Sequence, residues 1–408
     1  MSFFPKSSFI SSPPVLNIPR CGACGLYKHC KSPKMPPTGK GRRKILLVGE
    51  APGKTEDEDN EQFVGKAGKY FKNAWSEVDI DMDVDCHKTN ALICRPHTDN
   101  DTNRSPKPEE LDHCLPNLQS TIKSFNPEII VAAGLPALKS VLHGQWIGGI
   151  KKIDPWVGWT IPSQKYNAWI CPVWHPSYVM REEENPRGGT AVPLLFQQHL
   201  RAISKLSGRP WDSVPNYRNQ VEPILSSKEA AKIIRKYRRL GWPGAFDYET
   251  NMLKPDSAEA EIYTAGICWK GKRTIAFPFH GPAVDEFKKW LLSPCRKIAQ
   301  NMKFEDRWSR AKLGIEVQGW FWDTMINAHI YDNRTGCTGL AFLALVWLGF
   351  PAWDQNIHPF LESEYANEKN HIQDIELRDL LVYNGIDCLV EYKVFELQYA
   401  AMIKRVKK

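Results

Sequence analysis

The sequence predicts an α/β fold in two domains. At 408 residues the chain is longer than a single hydrophobic core usually organises, which favours two domains. Apolar runs at 45–48, 129–133 and 169–174 each end at a glycine or a polar loop, as the buried strands of an α/β sheet do. Loops at the ends of such strands carry ligands in this fold class. We therefore expect a parallel sheet with one shared site at its edge.

The remaining elements of the first half follow from the same patterns. The three predicted strands lead, in order, into GEAPG at 49–53, a helix over 136–142 and HPS at 175–177. A helical stretch over 190–206 closes this half. Prolines, a glycine and the absence of an apolar period then indicate a linker at 207–224, between domains spanning 1–206 and 225–408.

The second domain opens with a helix over 228–240, because Ser226 and Ser227 form an N-cap signature ahead of it. Residues 245–248 are typical of a strand, and residues 261–279 are typical of a hairpin. The rest of the domain is expected to be largely helical. It includes a helix over 376–391.

Composition places the chain among ordinary globular proteins, with 42% hydrophobic and 25% charged residues. The longest apolar run, 340–350, is too short to span a bilayer, and the N-terminus lacks the apolar core of a signal peptide. We therefore expect a cytoplasmic protein with no membrane partner, in the host cytoplasm if a phage encodes it. The net charge of +8 fits a polyanionic partner, and eleven cysteines inside a cell favour metal or cluster ligation over disulfides.

Carboxylates in the second domain are spaced for metal-dependent chemistry. Asp247 and Glu249 lie two apart on a predicted strand, so their side chains share one face. Tyr383 and Asp387 lie four apart on a predicted helix, which also puts them on one face. Hydrolysis of a phosphodiester by two metal ions needs several carboxylates around the ions. Each pair alone is also common on solvated surfaces.

The order of the motifs is more specific than either pair. The motifs are FDYET at 246–250, NMKFED at 301–306, WDTM at 322–325 and YNGID at 383–387. Together they resemble the 3′→5′ proofreading exonuclease domain of bacterial DNA polymerase I and its phage relatives, over about residues 225–400. The resemblance implies an RNase H-like fold of the DEDDy type that uses two Mg²⁺ or Mn²⁺ ions. It also implies roles for five residues: Asp247, Glu249, Glu305 and Asp387 as metal ligands, and Tyr383 as the residue that orients the attacking water.

One position departs from that family pattern. Glu305 stands where the family has an Asp, and Asp306 follows one residue later. A Glu still offers oxygen ligands to a hard cation, but its longer side chain changes the geometry. The resemblance gives Asp323, just ahead of a helix, a structural role.

A second set of motifs covers the first half. The motifs are GEAPG at 49–53, Glu56 with Asp57, FVGKAG at 63–68, TNALICRP at 89–96 and WHPS at 174–177. Over about residues 18–205 they resemble the iron-sulfur uracil-DNA glycosylases of the family-4 type, which implies a three-layer α/β domain that takes a flipped base into a pocket.

Roles in that pocket come from the same resemblance. Phe63 would stack on uracil and Asn90 would read its edge. His175 would donate to the uracil O2 as the glycosidic bond breaks. Glu50 and Glu56 would line the pocket near the sugar and the base, and Glu50 would polarise water. The substrate would also contact Gly49 and Ala51, of which Ala51 takes the position where other uracil glycosylases carry an Asp.

Four cysteines would hold a 4Fe-4S cluster in this family. Cys21 and Cys24 form a Cys-x-x-Cys pair, and Cys94 and Cys114 lie where the family places its other two ligands. The spacing alone would also allow a tetrahedral zinc site. Cys30 is an alternative to Cys114 as the fourth ligand.

The two halves joined in this order resemble the N-terminal part of certain phage family-A DNA polymerases. We expect an enzyme that excises uracil and trims single-stranded DNA or 3′ ends. A DNA polymerase would either be encoded separately or follow in the full-length protein. The alternative is an exonuclease or polymerase-accessory protein whose glycosylase-like half only binds DNA or a partner.

Overall fold

The computed structural model describes residues 21–185, 190–353, 355–365 and 368–406. Residues 1–20, where the sequence predicts no signal peptide, lie outside the described residues. The chain divides into two compact units: residues up to Val141 with Pro172–Leu206, and Leu142–Cys171 with the residues from Ser207 onward. In the described part of the chain, no helix is long and apolar enough to cross a membrane.

The first sheet has the order β2-β1-β3-β5-β4. Its strands are β1 (Ile45–Gly49), β2 (Cys86–Asn90), β3 (Ile129–Ala133), β4 (Ile161–Ser163) and β5 (Ala168–Val173). Strand β1 pairs in parallel with β2 and β3, whereas β4 and β5 are antiparallel, so the sheet is mixed. The three predicted strands are confirmed as β1, β3 and β5. Strand β2 has no apolar run because it buries Lys88, whose ammonium pairs with Glu61 at 3.0 Å and Asp83 at 2.6 Å.

Helices connect and follow these strands. They are α1 (Lys54–Asp59), α2 (Lys66–Ser76), α3 (Pro108–Phe125), α4 (Leu135–Val141), α5 (Pro176–Glu183) and α6 (Val192–Ser204). Only Trp174 and His175 separate β5 from helix α5, which has Pro176 in its first turn, where a missing N–H costs no hydrogen bond. That junction places His175 at the edge of the sheet.

The segment Leu142–Cys171 belongs with the second unit. The rings of Trp156 and Trp159 pack on Phe342, with centroids 5.0 and 6.0 Å apart. The predicted domain limits of 1–206, 207–224 and 225–408 therefore stay a proposal. The compact units share their break at 206 but differ from these limits over residues 142–171.

The second sheet has the order β11-β10-β7-β8-β9-β6. Its strands are β6 (Val221–Pro223), β7 (Gly244–Thr250), β8 (Ile262–Trp269), β9 (Arg273–Pro278), β10 (Lys297–Ala299) and β11 (Trp320–Asp323). Strands β7, β8 and β9 form an antiparallel meander, and β10 runs parallel to β7 and β11. The strand over 245–248 and the hairpin over 261–279 are confirmed. The end of the predicted linker is not a loop, because β6 pairs with β9 at the sheet edge.

The helices of this unit are α7 (Ser227–Arg239), α8 (Pro282–Leu291), α9 (Met302–Trp308), α10 (Thr324–Tyr331), α11 (Leu340–Leu348), α12 (His358–Leu361) and α13 (Leu377–Val406). Helix α7 begins at Ser227, one residue before the predicted start, because the side chain of Ser226 accepts a hydrogen bond from the N–H of Glu229. An aromatic core packs between the sheet and helices α7 and α8, with Phe246 and Trp290 edge to face at 5.6 Å. Both sheets carry helices, so the predicted α/β class is confirmed.

Candidate active sites

Strand β7 and helix α13 bring three carboxylates together in the second unit. Asp247 and Glu249 lie two apart on β7, so both side chains leave the same face of the sheet. One oxygen from each of them and one from Asp387 lie within 4.8 Å of one another. Carboxylate oxygens at this spacing suit a hard divalent cation, so these residues fit the ions that the resemblance implies.

A glycine sets how closely α13 approaches the sheet. A Cβ at Gly266 of β8 would lie 2.6 Å from the Sγ of Cys388 and 3.0 Å from the carbonyl oxygen of Asn384. Any larger residue there would push the helix outward. Gly266 thereby fixes the depth at which α13 presents Asp387.

Two further carboxyls are buried in the same cluster. Glu305, in the first turn of α9, is 1% exposed, and within the described part of the chain its Oε2 has no hydrogen-bond partner. Glu391 is equally buried and accepts a hydrogen bond from the backbone N–H of Gln300 at 3.2 Å. Burial, followed by the charge of Asp247, raises the pKa of both carboxyls well above the usual range. Sequence reasoning missed Glu391, although its i+4 spacing from Asp387 was the available signal.

Three of these carboxylates line a cavity of about 230 Å³. Tyr383 lies on its wall together with Asp247, Glu249 and Asp387. Phe304 and Leu253 line the same cavity, and the Leu253 side chain is 60% exposed. The cavity therefore combines an acidic wall with apolar groups that can pack against a nucleobase.

Asp323 lies nearby but acts on the backbone. Its carboxylate accepts hydrogen bonds from the N–H groups of Met325 and Ile326 at the start of α10. It also accepts from the N–H groups of Asn301 and Met302, which precede and open α9. Asp323 therefore fixes two helix starts, one of which carries Glu305.

In the first unit, Gly49 ends β1 beside two residues that line a second pocket, Asn90 and Phe63. It pairs with Asn90 across strands β1 and β2. A Cβ on Gly49 would lie 2.3 Å from the Oδ1 of Asn90 and 2.9 Å from the Cζ of Phe63. Glycine at this position therefore lets the amide and the ring meet over one strand end.

Phe63 has a left-handed backbone, with φ of +61°, which is an outlier for a bulky residue. Its backbone lies against Gly68, where a Cβ would come within 2.0 Å of the Phe63 carbonyl oxygen. Glu56 holds the loop by accepting hydrogen bonds from the N–H groups of Gly53 at 3.1 Å and Gly65 at 2.8 Å. Backbone strain of this kind persists only where surrounding contacts hold it, and it is found mainly at functional sites.

His175 enters the pocket as the N-cap of α5. Gly134 at the end of β3 faces it, and a Cβ there would lie 3.2 Å from the Cβ of His175. The Nδ1 of His175 accepts a hydrogen bond from the backbone N–H of Ser177 at 3.3 Å. Burial, followed by the charge of Arg181, lowers the pKa of His175 to about 4. The imidazole is therefore neutral, with its proton on Nε2.

The pocket between these residues has a volume of about 650 Å³. Its wall includes Glu50, Ala51, Glu56, Phe63, Asn90 and His175, so six of the predicted residues meet here. Burial raises the pKa of Glu50. Sequence reasoning missed Arg104, Tyr178 and Arg181 on the same wall, and no motif pointed to them.

The cysteines lie beside this pocket. Cys94 and Cys114 are buried, and Cys24, Cys30 and Ala51 pack against them. The amide of Asn117 lies 3.3 Å from the Sγ of Cys21 and 3.8 Å from that of Cys114. Ala51 therefore connects the cysteine cluster with the loop that forms the pocket.

Cys30 and Cys114 differ in the contacts of their sulfur atoms. The Sγ of Cys30 lies 3.1 Å from the carbonyl oxygen of Leu26 and 3.6 Å from that of Arg95. A thiol bound in this way donates its proton. The Sγ of Cys114, by contrast, accepts from the N–H of Ile93 at 3.4 Å, as a thiolate ligand would.

Comparison with known proteins gives the two halves of the chain different relatives. Residues 36–199 match the model of the uracil DNA glycosylase superfamily. A type-4 uracil-DNA glycosylase of Thermotoga maritima is 32% identical over 168 residues, which cover 41% of this chain and 82% of that protein. One from Pyrobaculum aerophilum is 32% identical over 170 residues, covering 40% and 82%. The chain belongs to the type-4 uracil-DNA glycosylase family.

The C-terminal half of this type-4 glycosylase matches a second family. Residues 221–397 match the model of a 3′-5′ exonuclease. A DNA polymerase of Bacillus phage SP01 is 26% identical over 400 residues, covering 88% of this chain and 40% of the polymerase. Among solved structures, the chain is similar to a nuclease described as an apo form, with a TM-score of 0.34, 17% identity, and coverage of 45% of this chain and 81% of that one.

Both resemblances drawn from the motifs are thereby confirmed. The type-4 glycosylase chain is a DNA-processing hydrolase that joins a uracil-DNA glycosylase domain to a 3′→5′ exonuclease domain. The exonuclease domain implies divalent metal, and the glycosylase family implies an iron-sulfur group. The three clustered carboxylates and the buried cysteines fit these groups. The roles of individual residues stay predictions.

Proposed function

We propose that the chain excises uracil from DNA in its first unit and removes nucleotides from DNA 3′ ends in its second. The observation that carries the proposal is the presence of a complete set of chemical groups in each unit. Phe63, Asn90 and His175 line one pocket. Asp247, Glu249 and Asp387 converge in the other unit.

In the glycosylase pocket, an extruded uracil would stack on Phe63, and its edge would pair with the amide of Asn90. Breaking the glycosidic bond leaves negative charge on the uracil O2. The Nε2–H of neutral His175 would donate to that oxygen and lower the barrier. Glu50 would face the sugar and polarise the water that completes the reaction.

In the exonuclease cavity, Asp247, Glu249, Glu305 and Asp387 would hold two Mg²⁺ or Mn²⁺ ions. Bound there, such ions supply the positive charge that activates water and stabilises the leaving oxygen. Tyr383 would orient the water with its hydroxyl. Leu253 and Phe304 would pack against the terminal base of a single-stranded 3′ end.

The cysteine cluster would hold a 4Fe-4S group through Cys21, Cys24, Cys94 and Cys114. Sulfur ligands of one tetrahedral zinc ion lie about 3.8 Å apart, as Zn–S bonds of about 2.3 Å require. The likeness to type-4 uracil-DNA glycosylases, together with the buried Cys94 and Cys114 beside Cys24, supports an iron-sulfur group over zinc.

Separate substrates test the two activities. Uracil-containing single-stranded DNA in EDTA, followed by alkali, reports base excision without metal-dependent shortening. Labelled DNA without uracil, in Mg²⁺, reports exonuclease action alone. We expect His175→Ala and Asn90→Ala to lose only the first activity and Asp247→Ala to lose only the second.

Two outcomes would contradict the proposal. If the parent protein binds DNA but gives no abasic product at any concentration, the first unit is a binding module. If Asp247→Ala shortens DNA as the parent does, the carboxylates are not the exonuclease site. Broad visible absorption of the purified protein indicates an iron-sulfur group, whereas a colourless protein with bound zinc would overturn that assignment.

A further inference from the structure

Two neutral side chains, Asn384 and Trp353, donate hydrogen bonds into the carboxylate cluster of the second unit. We propose that they are positioning residues, which hold Asp247, Glu249 and Asp387 in the orientation that binds the cations. The proposal rests on the proposed exonuclease function and deepens it. The exonuclease motifs assign a role to neither residue.

Asn384 binds both carboxylates of strand β7. It is fully buried, and its Nδ2 lies 2.9 Å from the Oδ2 of Asp247 and 3.5 Å from the Oε1 of Glu249. The same Nδ2 lies 3.3 Å from the carbonyl oxygen of Asp247. One amide therefore links two side chains that would otherwise turn independently.

Thr264 fixes the direction of that amide. Its Oγ1 donates to the Oδ1 of Asn384 at 3.2 Å, and Thr264 is itself fully buried on β8. A flipped amide would put its oxygen against two carboxylates and leave the hydroxyl without an acceptor. The NH₂ group therefore faces the cluster.

Trp353 holds the third carboxylate. Its Nε1–H donates to the Oδ1 of Asp387 at 2.8 Å in a buried contact. The indole is fixed in turn by stacking on Phe350, with centroids 5.3 Å apart and planes 14° apart. Trp353 thus restrains Asp387 from a segment outside the helix that carries it.

Neutral donors suit this task better than cationic ones. A lysine or arginine would orient a carboxylate equally well, but its charge would repel the ions that the carboxylates must bind. An amide and an indole fix the oxygens and leave the negative charge of the cluster in place. Neighbours of this kind, which orient metal ligands, typically contribute about 10–100-fold to metal affinity.

Mn²⁺ binding to the DNA-free protein tests the proposal directly. Free Mn²⁺ would be measured by electron paramagnetic resonance in the parent protein, Asn384→Ala, Thr264→Val and Trp353→Phe. Matched controls are Asn251→Ala, a buried Asn that binds backbone groups of Glu259 and Glu261, and Trp322→Phe, whose indole donates to Gln398. Melting temperature in EDTA reports folding of every variant.

We expect Asn384→Ala and Trp353→Phe to weaken Mn²⁺ binding at least about tenfold, with both controls within about twofold of the parent. Unchanged Mn²⁺ affinity in both variants would overturn the proposal. So would controls that lose as much affinity, because the effect would then be general destabilisation. If Asn384→Ala shows no cooperative melting, Thr264→Val and Trp353→Phe decide in the same way. A parent that binds no Mn²⁺ would instead refute the exonuclease function itself.

Discussion

Replacing His175 by alanine tests the central claim about the glycosylase pocket. The substitution removes one hydrogen-bond donor from the site where charge collects on the leaving base. Removing a single donor to a developing oxyanion typically costs about 2.7–4 kcal/mol, or about 10²–10³-fold in rate. We expect a loss of that size in single-turnover excision of uracil from labelled DNA, and little change in DNA binding.

The pH dependence separates a neutral donor from a cationic one. With a pKa of about 4, only about one His175 side chain in 3,000 is protonated at pH 7.5. Excision should therefore be insensitive to the titration of this histidine between pH 5.5 and 8.5. An imidazolium donor with an ordinary pKa would instead lose about tenfold in rate per pH unit above about 6.5.

The same shift has a consequence for stability. The folded-state pKa lies below the unfolded value of 6.5, so the unfolded chain takes up the proton first as the pH falls. The stability that the neutral imidazole gives is fully present above pH 6.5 and is lost as the pH falls towards about 4. As the pH falls from 6.5 towards about 4, the free energy of unfolding of His175→Ala should therefore decrease less than that of the parent. Thermal melts across this pH range measure the difference.

The exposed His143, outside the pocket, provides a control for the substitution. His143→Ala should excise uracil at the parent rate. If His175→Ala keeps more than about a tenth of the parent rate, less than about 1.4 kcal/mol is lost and the donor role is refuted. A parent rate that falls steadily above pH 6.5 would refute the neutral form.

Other substitutions test the support of Asn90, the cysteines and the carboxylates. Gly49→Ala should slow excision about a hundredfold, because its Cβ would lie 2.3 Å from the Oδ1 of Asn90 and displace that amide; an unchanged rate would contradict the proposed role of Asn90. Cys114→Ser should remove most of the visible absorption of the purified protein while Cys30→Ser retains it, and the reverse result would exchange their roles. Glu305→Gln should lose less stability in EDTA than the parent as the pH rises above the ordinary range of a glutamate, because burial raises the pKa of Glu305 and the amide cannot ionise, and it should reduce the increase that Mg²⁺ gives; an identical pH dependence of the melting temperature would contradict this.

The sequence predicted those strands that contain an uninterrupted apolar run. The runs at 45–48 and 129–133 are apolar throughout, and both became central strands. Strand β2 lacks such a run, because it buries Lys88, whose ammonium pairs with Asp83, 5 residues earlier, and with Glu61, 27 residues earlier. The pairing with Glu61 lies beyond the reach of a local pattern.

The candidate-site residues likewise divide into those that a local motif predicts and those that only tertiary packing places. Asp247, Glu249 and Asp387 follow from motif order, because each stands at a fixed offset inside its own element. The contact of Trp353 with Asp387 depends on how the chain returns over 34 residues, which no spacing rule encodes. Glu391 had a local signal, but its burial comes from packing between elements.

The left-handed backbone of Phe63 sets a conflict between heat resistance and function. A bulky residue in that conformation costs on the order of 1 kcal/mol, which an asparagine would largely avoid. Laboratory selection for survival at high temperature alone would favour replacing the ring, since the fold needs only the turn. Selection for removal of uracil from DNA would instead favour keeping the phenylalanine ring. A library at this single codon, screened under both regimes, would show whether the strained turn is maintained for the fold or for the base it receives.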